Sequence, residues 1–266
     1  MLDRQMNEEE IMNRKKAFTL IELLVVISII SLLIAILLPA LGSARLAANR
    51  IKSATQLRGI HQGMIVHAQG NKGYFPGLQG DGLRVPDGAE TTGNNGNGES
   101  VEARYWIMLN QNLFPASYIT NPVENRVIWT GDTPTIAWEN YSYAMLDIRN
   151  LAVASTGVLE WRDQSNGEAP MLCDRNIGLS SITSLSMSVY SQNVPGAWEG
   201  NVVWGDNHVD YQVSPLLRTR IGGVLRDEGG LGLDNIFGDN LYLEGTNTEG
   251  AFDAHMIHRY RSSAHD

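Results

Sequence analysis

The longest feature of the hydrophobic pattern is an apolar run from Leu20 to Leu38, in which the only polar residues are Glu22, Ser28 and Ser31. At about 1.5 Å of rise per residue, a helix of this length just spans a hydrocarbon core of about 30 Å. The pattern therefore predicts a membrane-spanning helix. Glu22 is its unusual residue, because an acid at the centre of such a helix costs on the order of 3 kcal/mol and calls for a functional reason.

Beyond residue 42 the pattern becomes periodic. Apolar residues recur every three or four positions, at Ala47, Ile51, Ala54, Leu57, Ile60, Met64 and Ala68. This spacing predicts an amphipathic helix that continues the membrane run and lays one stripe on a globular domain. Most polar residues fall off that stripe, among them Arg50, Lys52, Gln56 and Arg58. Pro39 and Gly42 are expected to kink or loosen the long helix.

The rest of the chain is predicted to form shorter elements. A short helix is expected over 100–112, and β-like runs lie at 127–129, 141–145 and 185–190. The clearest β-hairpin is 201–213, where Asp206 and Asn207 suit a tight turn that needs positive φ. Glycine-rich stretches near 77–100 and 221–250 are interpreted as loops, the first of them mobile.

Composition narrows the function classes. The chain has 266 residues and a formal net charge of −9. Its acidic soluble part argues against a nucleic-acid partner, since phosphate binding needs clustered Lys and Arg. The single cysteine, Cys173, cannot form an internal disulfide and is predicted to be a free buried thiol. Three bases directly before the apolar run (Arg14, Lys15, Lys16) favour a cytoplasmic N-terminus and an exported C-terminal domain.

The residues around the start of the apolar run read Lys15-Lys16-Ala17-Phe18-Thr19-Leu20-Ile21-Glu22. This stretch resembles the leader and first residues of type IV prepilins and type II secretion pseudopilins. The family's signature is a basic leader, a small residue that is usually glycine, then Phe-Thr-Leu-Ile-Glu and an apolar helix. Pro39 lies where many members have a proline, and Ala17 departs from the usual glycine. Met12 could also start the chain and would leave a shorter leader.

The resemblance implies an α+β, pilin-like fold in which a long N-terminal membrane-spanning helix packs on a C-terminal domain with an antiparallel β-sheet. We divide the chain into a leader (1–17), a transmembrane and assembly helix (18–41), an amphipathic continuation (42–72) and an exported α+β domain (73–266).

The same resemblance implies a non-enzymatic building block of a filament. A prepilin peptidase would cut between Ala17 and Phe18 and methylate the new amine. Glu22 would pair with the Phe18 amine of a neighbouring subunit, and the Pro39 region would let the helix bend during assembly. The implied partners are the peptidase, other pilin subunits, an inner-membrane assembly platform and membrane lipid. The protein would be a single-pass inner-membrane protein with its C-terminal domain outside the cytoplasm.

A second, weaker resemblance concerns the Asp206-Asn207-His208-Val209 turn. It is similar to a C-terminal aspartate–glycine–histidine–valine hairpin found in large pilin-like proteins of planctomycete-type bacteria, with Asn207 in the glycine's place.

Two groups of residues suggest metal sites. Residues 229–236 fit one calcium-binding nonapeptide unit, and a single unit cannot build the stacked roll that holds the ions. Because major pseudopilins tend to hold calcium in a C-terminal loop, Asp227, Asp234 and Asp239 are candidate ligands, with an ordinary loop as the alternative. Three tail histidines with one aspartate form the other group, for which solvated side chains are the simpler interpretation (His255, His258, His265 and Asp253).

Other functions stay open. His208 and Asp206 would be the catalytic pair of an exported hydrolase, although no nucleophile motif accompanies them. Five tryptophans would line a glycan groove or, more simply, fill the core (Trp129, Trp138, Trp161, Trp198, Trp204). The pilin-like segment would otherwise serve only to anchor an exported binding module, or an ordinary signal peptide would be cut near residue 42. The type of filament, and whether the subunit is major or minor, is also left open.

Overall fold

A computed structural model describes residues 18–83, 85, 98, 100–148, 160–178, 186–191, 194–221, 224–225, 232–237 and 256–257. The chain divides into two compact units, Met1–Arg45 and Leu46–Asp266. One helix, α1 (Leu20–Gly70), contributes residues to both of them. The fold is α+β, as the sequence predicted.

The second unit is built around a five-stranded antiparallel sheet. Its strands are β1 (Tyr143–Leu146), β2 (Pro170–Asp174), β3 (Gly200–Trp204), β4 (Val209–Gln212) and β9 (Met256–Ile257). They lie in the order β4-β3-β2-β1-β9, and every neighbouring pair is antiparallel.

Short elements surround the sheet. Strand β5 (Leu216–Leu217) pairs with β8 (Asp234–Asn235), and β6 (Arg220–Ile221) pairs with β7 (Val224–Leu225). Helix α2 (Val101–Asn110) begins at Ser100, whose hydroxyl accepts a hydrogen bond from the Ala103 amide as an N-cap. Two 3₁₀ helices follow, Ala116–Ile119 and Trp138–Asn140.

The outer part of α1 is packed in the core of this unit. Leu57, Ile60 and Met64 are fully buried in one cluster with side chains of β1, β2 and β3. The predicted apolar stripe is therefore correct from Leu57 to Ala68. It is wrong nearer the N-terminus, where Ile51 is 69% exposed and the buried residues are Ser53 and Gln56.

The reason for this correction is a polar face on the sheet. Gln56 Oε1 accepts a hydrogen bond from the Tyr143 hydroxyl at 2.9 Å, and Ser53 Oγ donates to Asp174 at 3.0 Å. Arg50 forms an ion pair with Glu199 at 2.7 Å and stacks on the rings of Tyr190 and Tyr211. Because the domain presents polar groups to this part of α1, the residues of α1 that are buried against it are polar as well.

The helix expected over 100–112 is confirmed by α2, and the 201–213 hairpin by β3 and β4. Two strand predictions are wrong: 127–129 has no regular structure, and the described residues of 185–190 form only a bridge from Met187 to Ala197. Strand β2, at the centre of the sheet, was not predicted. Its residues Pro170–Asp174 do not alternate, because all five are buried.

Most of the two glycine-rich stretches, 77–100 and 221–250, lies outside the described residues. The expected mobility of the first therefore stays a prediction.

Candidate functional site: the start of helix α1 and the sheet surface of the domain

The first turn of α1 is closed by a capping box between Thr19 and Glu22. The Thr19 amide and hydroxyl each donate to Glu22 Oε2 at 2.9 Å, and the Glu22 amide donates to the Thr19 hydroxyl at 3.2 Å. Reciprocal bonds of this kind satisfy amides that the first helical turn leaves without partners. Glu22 therefore has a local role in the single chain, in addition to the role in docking that the resemblance implies.

The first half of α1 presents an apolar surface within its own unit. Every large hydrophobic side chain from Leu20 to Leu41 is exposed, and Phe18 is 73% exposed. Among the described residues, α1 is the one helix long and apolar enough to cross a membrane. Ala17, which together with Phe18 forms the predicted processing site, lies outside the described residues.

Pro39 lies inside this helix, which is unbroken from Leu20 to Gly70. Proline has no amide hydrogen, so the turn at Pro39 lacks one backbone hydrogen bond. The Ser43 hydroxyl donates to the carbonyls of Ala40 at 3.0 Å and Pro39 at 3.4 Å. The expected bending at Pro39 and Gly42 stays a prediction.

In the globular unit, the hairpin turn has the predicted backbone, since Asn207 has a φ of 68°. Asp206 accepts hydrogen bonds from the backbone and the ring of His208. Burial acts to raise the pKa of Asp206, but these hydrogen bonds outweigh it and lower that pKa. The His208 ring also stacks on Trp204, with 5.6 Å between centroids. The two residues that suggested a catalytic pair thus form a turn-stabilising contact.

The same turn contacts α1 through a buried histidine. His61 is fully buried, and its Nδ1 lies 3.1 Å from Asn207 Oδ1. Its Nε2 has no hydrogen-bond partner among the described residues. Burial lowers the pKa of His61 from 6.5 to about 4, against the opposing effects of the Asn207 bond and the charges of Asp163 and Asp206. His61 is therefore a neutral structural residue near pH 7.

We expect acid to destabilise the domain through His61. A histidine whose folded pKa is depressed contributes stability above its unfolded pKa of 6.5 and loses it as pH falls toward 4. The loss between pH 7 and pH 4 should be on the order of 3 kcal/mol. The measurement is urea unfolding of the full chain at both pH values, followed by tryptophan fluorescence.

The matched variant is His61→Gln, which is less stable at pH 7 but should lose about 3 kcal/mol less than wild type between the two pH values. Equal pH-dependent losses in both proteins would contradict this assignment of the acid sensitivity to His61.

Asp174, at the end of β2, is a buried carboxylate that accepts hydrogen bonds from several polar groups around it. It accepts hydrogen bonds from Ser53 Oγ at 3.0 Å, Asn121 Nδ2 at 2.6 Å and the Tyr190 hydroxyl at 3.0 Å. The backbone amide and side-chain amide of Asn201 donate to it at 2.7 and 3.0 Å. Burial raises the pKa of Asp174, and these donors act in the opposite direction. We refer to these five residues as the Asp174 network.

The Asp174 network was not predicted from the sequence. Its members come from α1, two loops and two strands, so no local spacing connects them. The one sequence signal is Ser53, a polar residue on the face of α1 that carries Leu57 and Ile60.

The calcium prediction is only partly within the described residues. Asp234 is fully buried and accepts a hydrogen bond from the Thr219 hydroxyl at 2.6 Å, while Asp227 and Asp239 lie outside the described residues. Among the described residues, no three His, Cys, Asp or Glu side chains form a group that could hold a metal ion. Calcium binding at 227–239 stays a prediction. The tail group of Asp253 and three histidines lies outside the described residues (His255, His258, His265).

The tryptophans divide into two groups. Trp161, Trp198 and Trp204 are buried in the core, whereas Trp138 is 46% exposed and Trp129 is partly exposed. The core interpretation is therefore confirmed for the first three and wrong for Trp138. The prediction for Cys173 is confirmed, since it is a free, fully buried thiol, and burial raises the pKa of that thiol.

Residues 12–38 match the family model described as the prokaryotic N-terminal methylation motif. The match covers the basic end of the leader, the Ala17–Phe18 junction and the whole apolar run from Leu20 to Leu38. It supports a type IV pilin-like precursor with a membrane anchor, and so a structural protein rather than an enzyme. No curated protein and no solved structure matches the chain.

Proposed function

We propose that this chain is the precursor of a pseudopilin or minor pilin, a subunit that is assembled from the inner membrane into a pilus-like filament. The observation that carries the proposal is the methylation motif at residues 12–38, whose C-terminal part forms the exposed apolar start of α1. Such a surface needs lipid before assembly and neighbouring helices after it. The filament is either a type II secretion pseudopilus or a type IV pilus.

The proposed sequence of events begins at the Ala17–Phe18 bond. A prepilin peptidase hydrolyses that bond on the cytoplasmic side and methylates the amine of Phe18. The apolar half of α1 then leaves the bilayer with the help of an inner-membrane platform and packs among the same helices of other subunits. The domain that contains the β-sheet is exported and faces outward.

Glu22 sets the register between subunits in this proposal. Its carboxylate pairs with the Phe18 amine of a neighbour in an environment of low dielectric, where a slipped register leaves both charges without a partner. The Thr19–Glu22 capping box holds the carboxylate at the first turn before assembly.

We expect the mature chain to begin at Phe18 and to carry one methyl group on its amine. The test is the intact mass and N-terminal sequence of the membrane-extracted protein, expressed with and without a prepilin peptidase. A chain that keeps its leader in the presence of the peptidase, or one cut near Gly42, would contradict the proposal.

Two variants make this test specific to the proposed junction. The peptidase pocket takes a small residue before the cleaved bond, so Ala17→Leu is expected to block processing. Ala17→Gly, the matched control, should be cut at least as fast as wild type. Equal processing of all three proteins would place the cleavage elsewhere.

A further inference from the structure

An open cleft lies on the surface of the globular unit. Its volume is about 480 Å³, within the range of about 300–1,000 Å³ of small-molecule sites. The residues that line it are Val123, Glu124, Asn125, Arg126, Val127, Trp138, Glu139 and Arg175. We call this the Trp138 cleft.

The walls of the Trp138 cleft are fixed by hydrogen bonds between two segments of the chain. The Val127 amide donates to the Glu139 carbonyl at 3.2 Å, and Arg126 donates to the Trp138 carbonyl at 2.9 Å. Behind the cleft, Asn121 Oδ1 accepts from the Val123 amide at 2.9 Å while its Nδ2 donates to Asp174. The cleft is therefore attached to the Asp174 network through Asn121.

The charged side chains that line the cleft are two arginines and two glutamates. Arg126 and Arg175 both donate to Oε1 of Glu124, and their positive charges are offset by Glu124 and Glu139. The net charge of the lining therefore favours neither an anion nor a cation.

Only one of the two carboxylate oxygens of Glu124, Oε1, has hydrogen-bond partners among the described residues. Its side chain is 8% exposed, and its second oxygen, Oε2, is buried with no hydrogen-bond partner among the described residues. A buried acceptor without a donor costs about 1–3 kcal/mol. Because Oε2 is buried, a ligand hydroxyl in the cleft supplies that donor only when the carboxylate turns toward the cleft.

Trp138 supplies the apolar part of the cleft. Trp138 is 46% exposed, with the Arg126 guanidinium over its ring at 5.5 Å from the ring centroid. Val127 beside it is also exposed. An exposed tryptophan ring next to planar carboxylate, amide and guanidinium groups suits a ligand that has both C–H faces and hydroxyl groups.

From this combination we propose that the Trp138 cleft binds a neutral glycan, with a sugar ring stacked on Trp138 and a hydroxyl donated to Glu124. This site goes beyond the proposed role as a filament subunit and does not depend on it. It would give the exported domain a carbohydrate-binding activity, whether or not the chain is processed.

The test is a titration of the full chain in a detergent that contains no sugar, with the heat of binding measured by isothermal titration calorimetry as the readout. The probes are maltose, cellobiose, lactose and N,N′-diacetylchitobiose, with sialyllactose and a sulfated disaccharide as anionic counterparts. We expect saturable binding of at least one neutral probe. Absence of saturable binding of the neutral probes, or binding of only the anionic ones, would overturn the proposal.

Substitutions at two tryptophans test whether the glycan binds in the Trp138 cleft. Trp138→Ala should weaken the affinity about tenfold or more, and Trp138→Phe should restore it to within about threefold of wild type. Trp129→Ala is the matched control, because Trp129 is partly exposed but does not line the cleft, and it should bind like wild type.

Asn125→Ala provides a second test if Trp138→Ala does not fold. Asn125 is exposed in the cleft, and we expect its loss to weaken binding severalfold. Unchanged affinity in folded Trp138→Ala, or in Asn125→Ala where the first variant does not fold, would overturn the assignment of the cleft.

Discussion

Asp174→Ala is expected to lower the free energy of unfolding by about 4 kcal/mol. The variant removes the acceptor shared by Ser53, Asn121, Tyr190 and Asn201, and all four residues are largely or fully buried. A buried donor left without an acceptor costs about 1–3 kcal/mol. The expected loss of unfolding free energy is smaller than the sum of such costs, because some of the donors can turn to new acceptors or bind water that enters the site.

The measurement is chemical unfolding of the full chain at pH 7, with Asp174→Asn and Asp210→Ala as controls. Asparagine keeps one acceptor oxygen and the size of the side chain, so its cost should be only about 1–2 kcal/mol. Asp210 lies on β4, which β3 separates from β2, and its side chain is exposed. Its removal should change stability by no more than about 0.5 kcal/mol. Equal effects of Asp174→Ala and Asp210→Ala would show that the network does not hold the fold together.

The features that sequence reasoning predicted correctly are those encoded by neighbouring residues. The apolar run beyond Leu20, the outer stripe from Leu57 to Ala68 and the turn at Asn207 each depend on a local period or a local backbone preference. The capping box also has a local signature, a threonine followed three residues later by glutamate, but the carboxylate of Glu22 was interpreted only as a group for assembly.

The features that it missed depend on residues distant in the sequence. Burial of Ser53 in place of Ile51 follows from the position of Asp174, which lies 121 residues further along the chain. Strand β2 was missed because burial on both faces removes the alternation that identifies a strand. The Trp138 cleft joins Glu124 to Arg175, and no spacing rule connects these two residues.

Glu22→Gln is expected to reduce incorporation into filaments at least tenfold while leaving cleavage at Ala17–Phe18 unchanged. Two roles of Glu22 have to be separated, because its carboxylate caps its own helix and, in our proposal, pairs with the Phe18 amine of a neighbour. Glutamine keeps the capping box, since its side-chain oxygen can still accept from the Thr19 amide. It removes the negative charge, so that the neighbouring ammonium group would be left without a partner.

Thr19→Val is the complementary variant, because it removes the Thr19 hydroxyl from the capping box and keeps the charge of Glu22. Loss of that hydroxyl costs about 1 kcal/mol of helix stability, and we expect assembly to stay close to wild type. Assembly is measured in cells that contain the peptidase and the platform, by crosslinking cysteines introduced on the apolar half of α1. The buried Cys173 gives no background in this assay. If Thr19→Val fails to assemble and Glu22→Gln assembles normally, Glu22 acts as a helix cap and the proposed charge pairing between subunits is wrong.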